Sequence, residues 1–508
     1  MANRDADAKA LKVAKKLLNA ENWKHLARWH GDGYYELHTE DTGDTPVRLF
    51  LTKQLLDDAE DILYRQIVNA TRFPGVRMVV ITPDTHYGYG VPVGCVLITD
   101  ADAGAVAMGP VGYDIGCGMM SARSEVEAER ATPEKRLEFN RAVMERVDMG
   151  AGGKSVRLGE LSKSEFNNLV RGGAEYYVEK YGATFDRSRA ERHRIPVDDD
   201  WQIPWGGKGR PERGLNQMGS LGGGNHFIEL QRSEQTGTVF VQVHTGSRGF
   251  GHGLATNYFE MAREERPEAI TDIDLGYFTP DSRHYSSYLN AVAAGGNYAI
   301  LNRLIIFEQV SDAFREVFGQ ELELIYEISH NLVQRETHPE FGEVWVHRKG
   351  ATRAFPAGHP ALAGTHWEAT GHPVLIPGSN KDWSYILQPL AGAVNSGYSV
   401  NHGAGRRLSR GEASRTLSQR AIDDEYKAAG ILVNINGRVP LDEAAPAYKS
   451  SQAVIEAVVG AGLARIEHQL WPLASLKGAD ERKGKRRGKG GKADTGDAKQ
   501  GRKTKEHY

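Results

Sequence analysis

Glycine-rich blocks constrain the fold of this chain more than any other feature of its sequence. The chain has 58 glycines in 508 residues, whereas glycine makes up roughly 7% of an average protein. The glycines cluster without a fixed period, which excludes a collagen-like repeat and is typical of loops whose backbone approaches a ligand. The block at residues 111–119 holds Asp114 and Cys117 among three glycines. Such a segment is poorly suited to a hydrophobic core and well suited to bringing a carboxylate and a thiol to one point.

The remaining composition is that of a globular protein. With 40% hydrophobic and 25% charged residues, a chain of 508 residues can bury a large core. A net charge of −3 excludes a polycationic body. The two cysteines, Cys95 and Cys117, are too few for a disulfide framework and favour a reducing, cytoplasmic setting. The sequence has no run of about 18 apolar residues and no apolar signal region in residues 1–20. We therefore expect neither a transmembrane helix nor a secretory signal.

The periodicity of the apolar residues predicts helices interleaved with strands. Helical spacing covers residues 9–20, 52–72, 133–147, 162–181, 281–318, 412–429 and 451–463, and we expect a break near Gly295-Gly296. Short apolar runs predict strands at 77–81, 95–99, 105–108, 322–329, 343–348, 373–376 and 384–387, the first of them leading into a polar loop at 82–90. No regular strand–helix–strand period and no internal repeat is visible. The pattern therefore predicts an α+β fold, with a single large mixed α/β domain over residues 1–478 rather than a doubly wound sheet.

Two segments differ in composition from this domain. Residues 186–217 place Trp201 and Trp205 among Pro, Gly and charged residues, which predicts an irregular surface insertion. Residues 479–508 contain eleven Lys/Arg against five Asp/Glu, with interspersed glycines and no large aliphatic residue. This composition predicts a disordered basic tail. Two interpretations of the tail remain open: a solubilising terminus, or additional phosphate affinity for nucleic acid.

Five side chains are candidate metal ligands: Asp114, Cys117, His226, His244 and His330. Each histidine borders an apolar strand pattern and meets a glycine-rich or polar turn. Strand ends that share a cleft can bring imidazoles to one centre, and imidazole, thiolate and carboxylate together suit divalent transition metals. A shared thiolate would also allow a dinuclear site of the kind that supports phosphoryl transfer. A single histidine at a strand end is more often a structural hydrogen-bonding residue than a metal ligand, and Cys117 alone is also compatible with a small buried apolar residue.

A second group of segments suggests phosphate binding. Residues 222–224 are three consecutive glycines, which can present backbone N–H groups to an anion. Residues 347–353 predict a cationic loop, and residues 377–379 and 402–407 predict two tight turns with polar or basic neighbours. No segment matches the phosphate-binding loop of the nucleoside triphosphatases. His402, between Asn401 and a Gly-Ala-Gly turn, is either a nucleophile for covalent phosphoryl transfer or a residue that orders the loop.

Taken together and in order, these blocks resemble the RtcB-type RNA-splicing ligases. The resemblance covers roughly residues 78–478, which leaves residues 1–75 as a divergent N-terminal part. The blocks that carry it are Asp114-x-x-Cys117-Gly118, Gly222-Gly223-Gly224-Asn225-His226-Phe227-Ile228-Glu229, His244-Thr245-Gly246-Ser247-Arg248-Gly249, His330-Asn331, His347-Arg348-Lys349-Gly350-Ala351-Thr352-Arg353 and Asn401-His402-Gly403-Ala404-Gly405-Arg406.

The resemblance implies a GTP- and Mn²⁺-dependent ligase with a dinuclear metal cleft. Such an enzyme joins RNA ending in a 3′-phosphate or 2′,3′-cyclic phosphate to RNA with a 5′-hydroxyl, through a guanylated histidine and a guanylylated RNA 3′ end. By motif, Asp114, Cys117 and His226 hold one Mn²⁺, while Cys117, His244 and His330 hold the other. His402 accepts GMP. The residues implied for the guanylate pocket are Asn225, His226, Phe227, Ile228, Glu229, His330, Asn331, Pro377, Gly378, Ser379, Asn380, Ser384, His402, Gly403, Ala404, Gly405 and Lys477.

Several positions depart from the family pattern. Asn380 follows Pro377-Gly378-Ser379 where the family usually has Met, and Gly116 stands where Asn is common. The RNA substrate therefore stays open between tRNA splicing and RNA repair, as does the need for an archease-type activating partner. Two other functions remain alternatives: a metal-dependent cyclic phosphodiesterase that acts on RNA ends without ligation, and a non-catalytic RNA-end binding protein.

Overall fold

Two large and mostly antiparallel β-sheets carry the fold of residues 17–183, 185–190 and 194–478, the parts of the chain that the computed structural model describes. The strands are β1 Ala27–His30, β2 Tyr34–Leu37, β3 Val47–Leu49, β4 Val76–His86, β5 Val93–Asp100, β6 Val106–Ala107, β7 Gly118–Glu127, β8 Phe227–Ser233, β9 Thr238–Thr245, β10 Tyr277–Phe278, β11 Glu323–Ser329, β12 Asn331–His338, β13 Gly342–Lys349, β14 Ala351–Arg353, β15 Val374–Ile376, β16 Ser384–Pro389, β17 Ser399–Asn401, β18 Leu432–Val433 and β19 Ala464–Lys477.

The helices are mostly short and surround one long central helix. They are α1 Trp23–Leu26, α2 Lys53–Asp57, α3 Leu63–Ala70, α4 Pro133–Arg146, α5 Lys163–Tyr181, α6 Arg248–Glu265, α7 Tyr285–Phe318, α8 Arg410–Thr416, α9 Gln419–Ala428 and α10 Ser451–Gly460. Helix α7 is 34 residues long, and nearly all of its residues from 290 to 307 are buried. A helix that is apolar on all sides belongs in the core of a large protein.

The strand orders confirm the α+β prediction. One sheet runs β1-β2-β3-β4-β5-β13-β12, and the other runs β11-β7-β9-β8-β19-β16-β15 with β18 beside β19. Within these sheets only the β3–β4 and β18–β19 pairs are parallel. Two further pairs, β6 with β10 and β14 with β17, are two-stranded. A doubly wound sheet would instead be mostly parallel.

The predicted break in the long helix is wrong. Helix α7 continues through Gly295 and Gly296 because these residues admit a neighbouring segment rather than end the helix. A Cβ at Gly295 would lie 3.0 Å from the Ile115 side chain, and a Cβ at Gly116 would lie 3.0 Å from the Cα of Gly296. Gly116 also has a φ of +75°, which side chains disfavour. The glycines therefore let the 114–117 loop lie directly on the helix.

Some other element boundaries also differ from the prediction. Strand β4 extends through most of the predicted 82–90 loop, to His86, with an irregular register against β5 after Ile81. The predicted helix at 52–72 is two helices, α2 and α3. The predicted helix at 412–429 is α8 and α9, and the Ser418 side chain caps the start of α9 by accepting the Ala421 N–H. Capping serines favour a new helix start over a continued one.

The predicted cationic loop at 347–353 is wrong: residues 347–349 end strand β13, residues 351–353 form strand β14, and Gly350 alone lies between them. His347, Arg348 and Lys349 are all buried. Arg348 forms an ion pair with Glu336 on the neighbouring strand β12. Lys349 donates hydrogen bonds from Nζ to the carbonyls of Tyr89 and Val91, at 2.6 and 3.0 Å. Because these cations have internal partners, they hold the sheet and its adjoining loop together.

The 186–217 segment is irregular, as predicted, but it is not confined to the surface. Trp201 and Ile203 are buried in the main core. The indole of Trp201 donates a hydrogen bond to Ser287 Oγ at 3.0 Å, at the start of α7. The basic tail at 479–508 and most of the predicted helix at 9–20 lie outside the described residues. Across the described ranges, every helix is too short or too polar to cross a bilayer.

Candidate functional site

Four neighbouring strands place the candidate metal ligands at one end of a sheet. Cys117 immediately precedes β7, His226 immediately precedes β8, His244 lies at the end of β9, and His330 immediately follows β11. The register pairs Gly118 with Thr245 and with Ser329, and Phe227 with His244. Antiparallel neighbours thus start and end at the same edge, and the histidines, far apart in sequence, converge there.

The ligand atoms form two groups that share Cys117. His244 Nε2 lies 3.3 Å from Cys117 Sγ and 3.3 Å from His330 Nε2. On the other side, His226 Nε2 lies 3.6 Å from Cys117 Sγ and 3.1 Å from an Asp114 carboxylate oxygen. In each group of three, all ligand atoms lie within 4.8 Å of one another. The structure thus brings the five predicted ligands together in the two sets that the sequence analysis expects.

Backbone carbonyls orient two of the imidazoles. His226 Nδ1 lies 3.0 Å from the Leu221 carbonyl, and His244 Nδ1 lies 3.1 Å from the Asn225 carbonyl. A carbonyl can only accept, so Nδ1 carries the proton in both rings, and Nε2 is the nitrogen that faces the cluster. This arrangement is typical of metal-binding histidines, whose second nitrogen donates to an outer partner.

Burial and charge set the protonation of the cluster. Burial opposes ionisation of Asp114, but the hydrogen bond and charge of His226, together with the Ser247 N–H, hold its pKa below the ordinary value. Burial and the Asp114 charge raise the pKa of the Cys117 thiol. Burial and neighbouring imidazoles lower the pKa values of His244 and His330. A neutral imidazole and an ionised carboxylate are the ligand forms of these residues.

Sequence reasoning missed the side chain that holds these strand ends together. Arg303, on α7, is fully buried and forms an ion pair with Glu327. Its guanidinium also donates to the carbonyls of Gly116 and Thr245 at 2.7 and 2.8 Å, and to Ser329 Oγ at 2.8 Å. These acceptors adjoin Cys117, His244 and His330 in sequence. The only signal for Arg303 is its position, with Asn302, inside an apolar helical run.

A second missed residue is Asp84, which orients the candidate nucleophile. Its Oδ2 lies 2.6 Å from His402 Nδ1 and accepts the backbone N–H of His402 at 3.1 Å. Its Oδ1 accepts the Thr82 hydroxyl at 2.6 Å. Burial opposes ionisation of Asp84, but the charge and hydrogen bonds of His402 lower its pKa. His402 Nδ1 is thus engaged by a carboxylate, and its ring lies 4.8 Å from the ring of His330.

Three of the residues expected to line the guanylate pocket, Glu229, Gly378 and Ser384, belong to one hydrogen-bonded network. Gln231 Nε2 donates to Glu229 at 2.7 Å and to Ser384 Oγ at 3.1 Å. The same hydroxyl accepts the Gly378 N–H at 3.0 Å, which connects the 377–380 turn to β8. Burial raises the pKa of Glu229 to about 7. The network therefore presents a buried carboxyl group beside a polar turn.

Pairwise contacts connect several of the remaining predicted pocket residues. Lys477 Nζ lies 5.3 Å from the centre of the Phe227 ring and 3.5 Å from Glu443. A Cβ at Gly403 would lie 3.4 Å from the Pro377 carbonyl, so the 402–405 and 377–380 turns are adjacent. Asn331 donates to the Asp114 carbonyl at 3.2 Å and accepts the Gly350 N–H at 2.8 Å. The members of the set not yet described are also buried or partly buried: Asn225, Ile228, Ser379, Asn380, Ala404 and Gly405.

The amino-acid sequence is similar to known proteins of one family over most of its length. A family model described as "tRNA-splicing ligase RtcB" matches residues 66–478. The chain is 36% identical over 465 residues to the tRNA-splicing ligase RtcB of Pyrobaculum aerophilum, which covers 85% of this chain and 95% of that protein. It is 38% identical over 442 residues to the RNA-splicing ligase RtcB of Mycobacterium bovis, covering 81% of this chain and 100% of that protein. The family-model match includes every strand that supplies a ligand, and the chain therefore belongs to the RtcB family of RNA-splicing ligases.

Proposed function

We propose that this protein is a GTP- and Mn²⁺-dependent RNA ligase that joins 3′-phosphate or 2′,3′-cyclic phosphate ends to 5′-hydroxyl ends. The observation that carries the proposal is the position of His402. Its Nδ1 is engaged by Asp84, which leaves Nε2 as the nucleophilic nitrogen, and its ring contacts the ring of the candidate ligand His330. A nucleophile, its orienting carboxylate and a set of shared metal ligands are the parts that phosphoryl transfer through a covalent intermediate requires.

The ligand set fits two divalent ions. Asp114 and His226 with Cys117 would hold one, and His244 and His330 with Cys117 the other, since each trio offers three atoms within 4.8 Å. The mixture of carboxylate, imidazole and thiolate suits Mn²⁺ and its neighbours. When bound, the ions would neutralise the phosphates of GTP and orient the α-phosphorus for in-line attack.

His402 is the nucleophile of the first chemical step. Its Nε2 attacks the α-phosphorus of GTP, so that an N–P bond forms while the P–O bond to pyrophosphate breaks and pyrophosphate leaves with the electron pair. The imidazole retains its Nδ1 proton, and the Asp84 carboxylate offsets the positive charge that develops on the ring. Burial of Asp84 fixes the geometry, since the carboxylate accepts from both the ring and the backbone of His402.

The later steps transfer GMP to RNA and then release it. An oxygen of the RNA 3′-phosphate attacks the phosphorus on His402, which breaks the N–P bond and restores the imidazole. The 5′-hydroxyl of the second RNA then attacks the activated 3′-phosphorus, releases its proton to water, and displaces GMP with the electron pair of the broken P–O bond. A cyclic phosphate end is first opened by water to the 3′-phosphate.

The test is labelling of the protein with GTP that carries a radioactive α-phosphate, in the presence of Mn²⁺. We expect acid-labile label on the unsubstituted chain and none on His402→Ala. A ligation assay with 3′-phosphate or cyclic-phosphate RNA and a 5′-hydroxyl acceptor follows. Full labelling of His402→Ala would overturn the assignment of the nucleophile. Opening of cyclic ends without ligation at saturating GTP would favour a phosphodiesterase instead.

A further inference from the structure

Lys449 is a partly buried cation whose side chain reaches the strand end that carries Asp84. Its Nζ donates to the Thr85 carbonyl and lies 3.4 Å from the Pro83 carbonyl. Pro83 and Thr85 are the two chain neighbours of Asp84, so the ammonium group holds the backbone on both sides of that residue. The register of β4 against β5 is irregular after Ile81, so contacts of this kind help to place this stretch of backbone.

The backbone of Lys449 is bound to the turn that carries His402. The Lys449 N–H donates to the Gly405 carbonyl at 2.9 Å, and the Arg407 N–H donates to the Ala447 carbonyl at 2.8 Å. The two short segments that exchange these hydrogen bonds run antiparallel to each other. Lys449 thus connects the two parts of the chain that supply the orienting carboxylate and the nucleophilic imidazole, one through its side chain and the other through its backbone.

Lys449 also places a positive charge near the Asp84 carboxylate. Burial lowers the pKa of Lys449, and the charge of Asp84 acts in the opposite direction. His86, on the same strand as Asp84, stays neutral because burial and the Lys449 charge lower its pKa to about 3. Lys449 rather than His86 therefore supplies positive charge here. A nearby positive charge favours the ionised form of a carboxyl group, which is the form that offsets charge on the His402 ring.

We propose that Lys449 is a positioning residue for the transfer of GMP to His402, and that it acts through Asp84. The inference rests on the proposed function, in that His402 is the nucleophile. Because the side-chain contacts of Lys449 are with the backbone around Asp84, it fixes where the carboxylate meets Nδ1 and thereby the direction of Nε2. Misplacement of a reacting group by about 1 Å can slow a reaction about 100-fold.

The test measures single-turnover labelling of the full-length chain with GTP that carries a radioactive α-phosphate. We expect Lys449→Met, which keeps the length of the side chain but removes its charge and its donors, to slow labelling about tenfold to 100-fold. The Kd for GTP and the metal content stay unchanged, because the residue acts on the nucleophile. Lys449→Arg, which keeps the charge and the donors, restores most of the rate. A labelling rate of Lys449→Met equal to that of the unsubstituted chain would overturn the inference.

A double substitution tests whether Lys449 acts through Asp84. Effects of residues that act as one unit do not add. We therefore expect Asp84→Asn combined with Lys449→Met to be labelled as slowly as Asp84→Asn alone. Losses that multiply in the double variant would show that Lys449 acts independently of Asp84 and would overturn the inference. If the unsubstituted chain is not labelled at all, the proposed function fails and the inference with it, whereas normal labelling of Lys449→Met contradicts the inference alone.

Arg136→Met is the matched control for a folding defect. Arg136 is also a partly buried cation that joins two segments through backbone carbonyls, those of Ala131 and Gly430, at 2.6 Å each. Urea unfolding of both variants compares their losses of stability. We expect Arg136→Met to be labelled at the rate of the unsubstituted chain. Equal slowing of labelling in Arg136→Met and Lys449→Met would assign the effect to general destabilisation and overturn the inference.

Discussion

Cys117 is the residue on which both candidate ion sites depend. Its Sγ lies 3.3 Å from His244 and 3.6 Å from His226, so Cys117→Ser removes a soft ligand from both groups. We expect both ions and the labelling of His402 to be lost together. The measurement is the metal content of the purified variant by mass spectrometry, alongside labelling with GTP. Cys95→Ser, at the other buried cysteine, is the control. Loss of one ion with continued labelling would contradict the shared role.

Asp84 is expected to act on the rate of the first step rather than on folding of the site. Asp84→Asn keeps the shape of the side chain but removes the charge that offsets the developing positive ring of His402. We expect His402 labelling to slow about 100-fold or more, with metal content unchanged. The rate is measured in a single turnover at saturating GTP. A labelling rate within a few-fold of the unsubstituted chain would show that orientation by Asp84 is dispensable.

Because the pKa of Glu229 is raised in the folded protein, we expect the free energy of unfolding to depend on pH. Burial raises its pKa to about 7, from 4.5 in the unfolded chain. Between these values the folded state binds more protons than the unfolded state, so the contribution of Glu229 to stability falls as the pH rises. Above pH 7, keeping the Glu229 carboxylate ionised in its buried position lowers the free energy of unfolding by roughly 3 kcal/mol. Glu229→Gln removes this cost because the amide has no charge. We therefore expect the variant to gain stability relative to the unsubstituted chain at pH 8 but not at pH 4.5, measured by urea unfolding. An equal difference in the free energy of unfolding between the variant and the unsubstituted chain at pH 8 and at pH 4.5 would contradict the prediction.

At the scale of elements, helix α7 positions the strand ends through a single guanidinium. Arg303 donates to carbonyls that adjoin Cys117 and His244, and pairs with Glu327 at zero exposure of both side chains. We expect Arg303→Met to lower the free energy of unfolding by about 3–5 kcal/mol, because Glu327 is left as an uncompensated buried charge. Denaturant unfolding measures this loss, and metal content is expected to fall with it.

Arg315→Met is the matched control for this substitution. Arg315 lies on the same helix, but its side chain is 52% exposed and pairs with Asp312 and Glu321 at the surface. Exposed ion pairs contribute little, so we expect a change of less than about 1 kcal/mol. Equal losses for the two variants would show that Arg303 has no special role in joining the strands.

At the scale of the whole molecule, the end of the described chain lies beside the site. A Cβ at Gly478 would lie 2.2 Å from the Gly222 carbonyl, and a Cβ at Gly222 would lie 2.7 Å from His226 Nδ1. The basic residues of 479–508 therefore follow directly from the rim of the ligand cluster.

Neutralising this tail tests whether it binds RNA. The substitutions are Arg482→Gln, Lys483→Gln, Lys485→Gln, Arg486→Gln, Arg487→Gln and Lys489→Gln. We expect weaker RNA binding and a shallower dependence of affinity on salt, because fewer counterions are released, with His402 labelling unchanged. Fluorescence anisotropy at several salt concentrations measures both. A tail of the same composition in shuffled order is expected to retain the affinity. Unchanged affinity and salt dependence after neutralisation would leave solubilisation as the role of the tail.

Sequence by itself determined the kinds of chemistry that this chain can perform. Ligand identity is a property of residue type, so Asp114, Cys117 and three histidines in glycine-rich surroundings predicted a mixed-ligand cluster before any contact was known. Apolar periodicity likewise predicted most of the helices, although not α6, and the α+β class, because burial of one face depends on local spacing. It predicted fewer than half of the strands. The predictions that failed, such as the helix break at Gly295-Gly296, concern segments whose conformation depends on contacts with residues that are distant in sequence.

Only the tertiary structure decided which residues act on one another. Asp84 and His402 are 318 positions apart, and Arg348 joins a buried ion pair rather than a phosphate-binding loop. No local pattern encodes such pairs, since they arise from sheet register and helix packing. Residue type therefore sets what a side chain can donate, accept or ligate, and packing sets whether it has a partner.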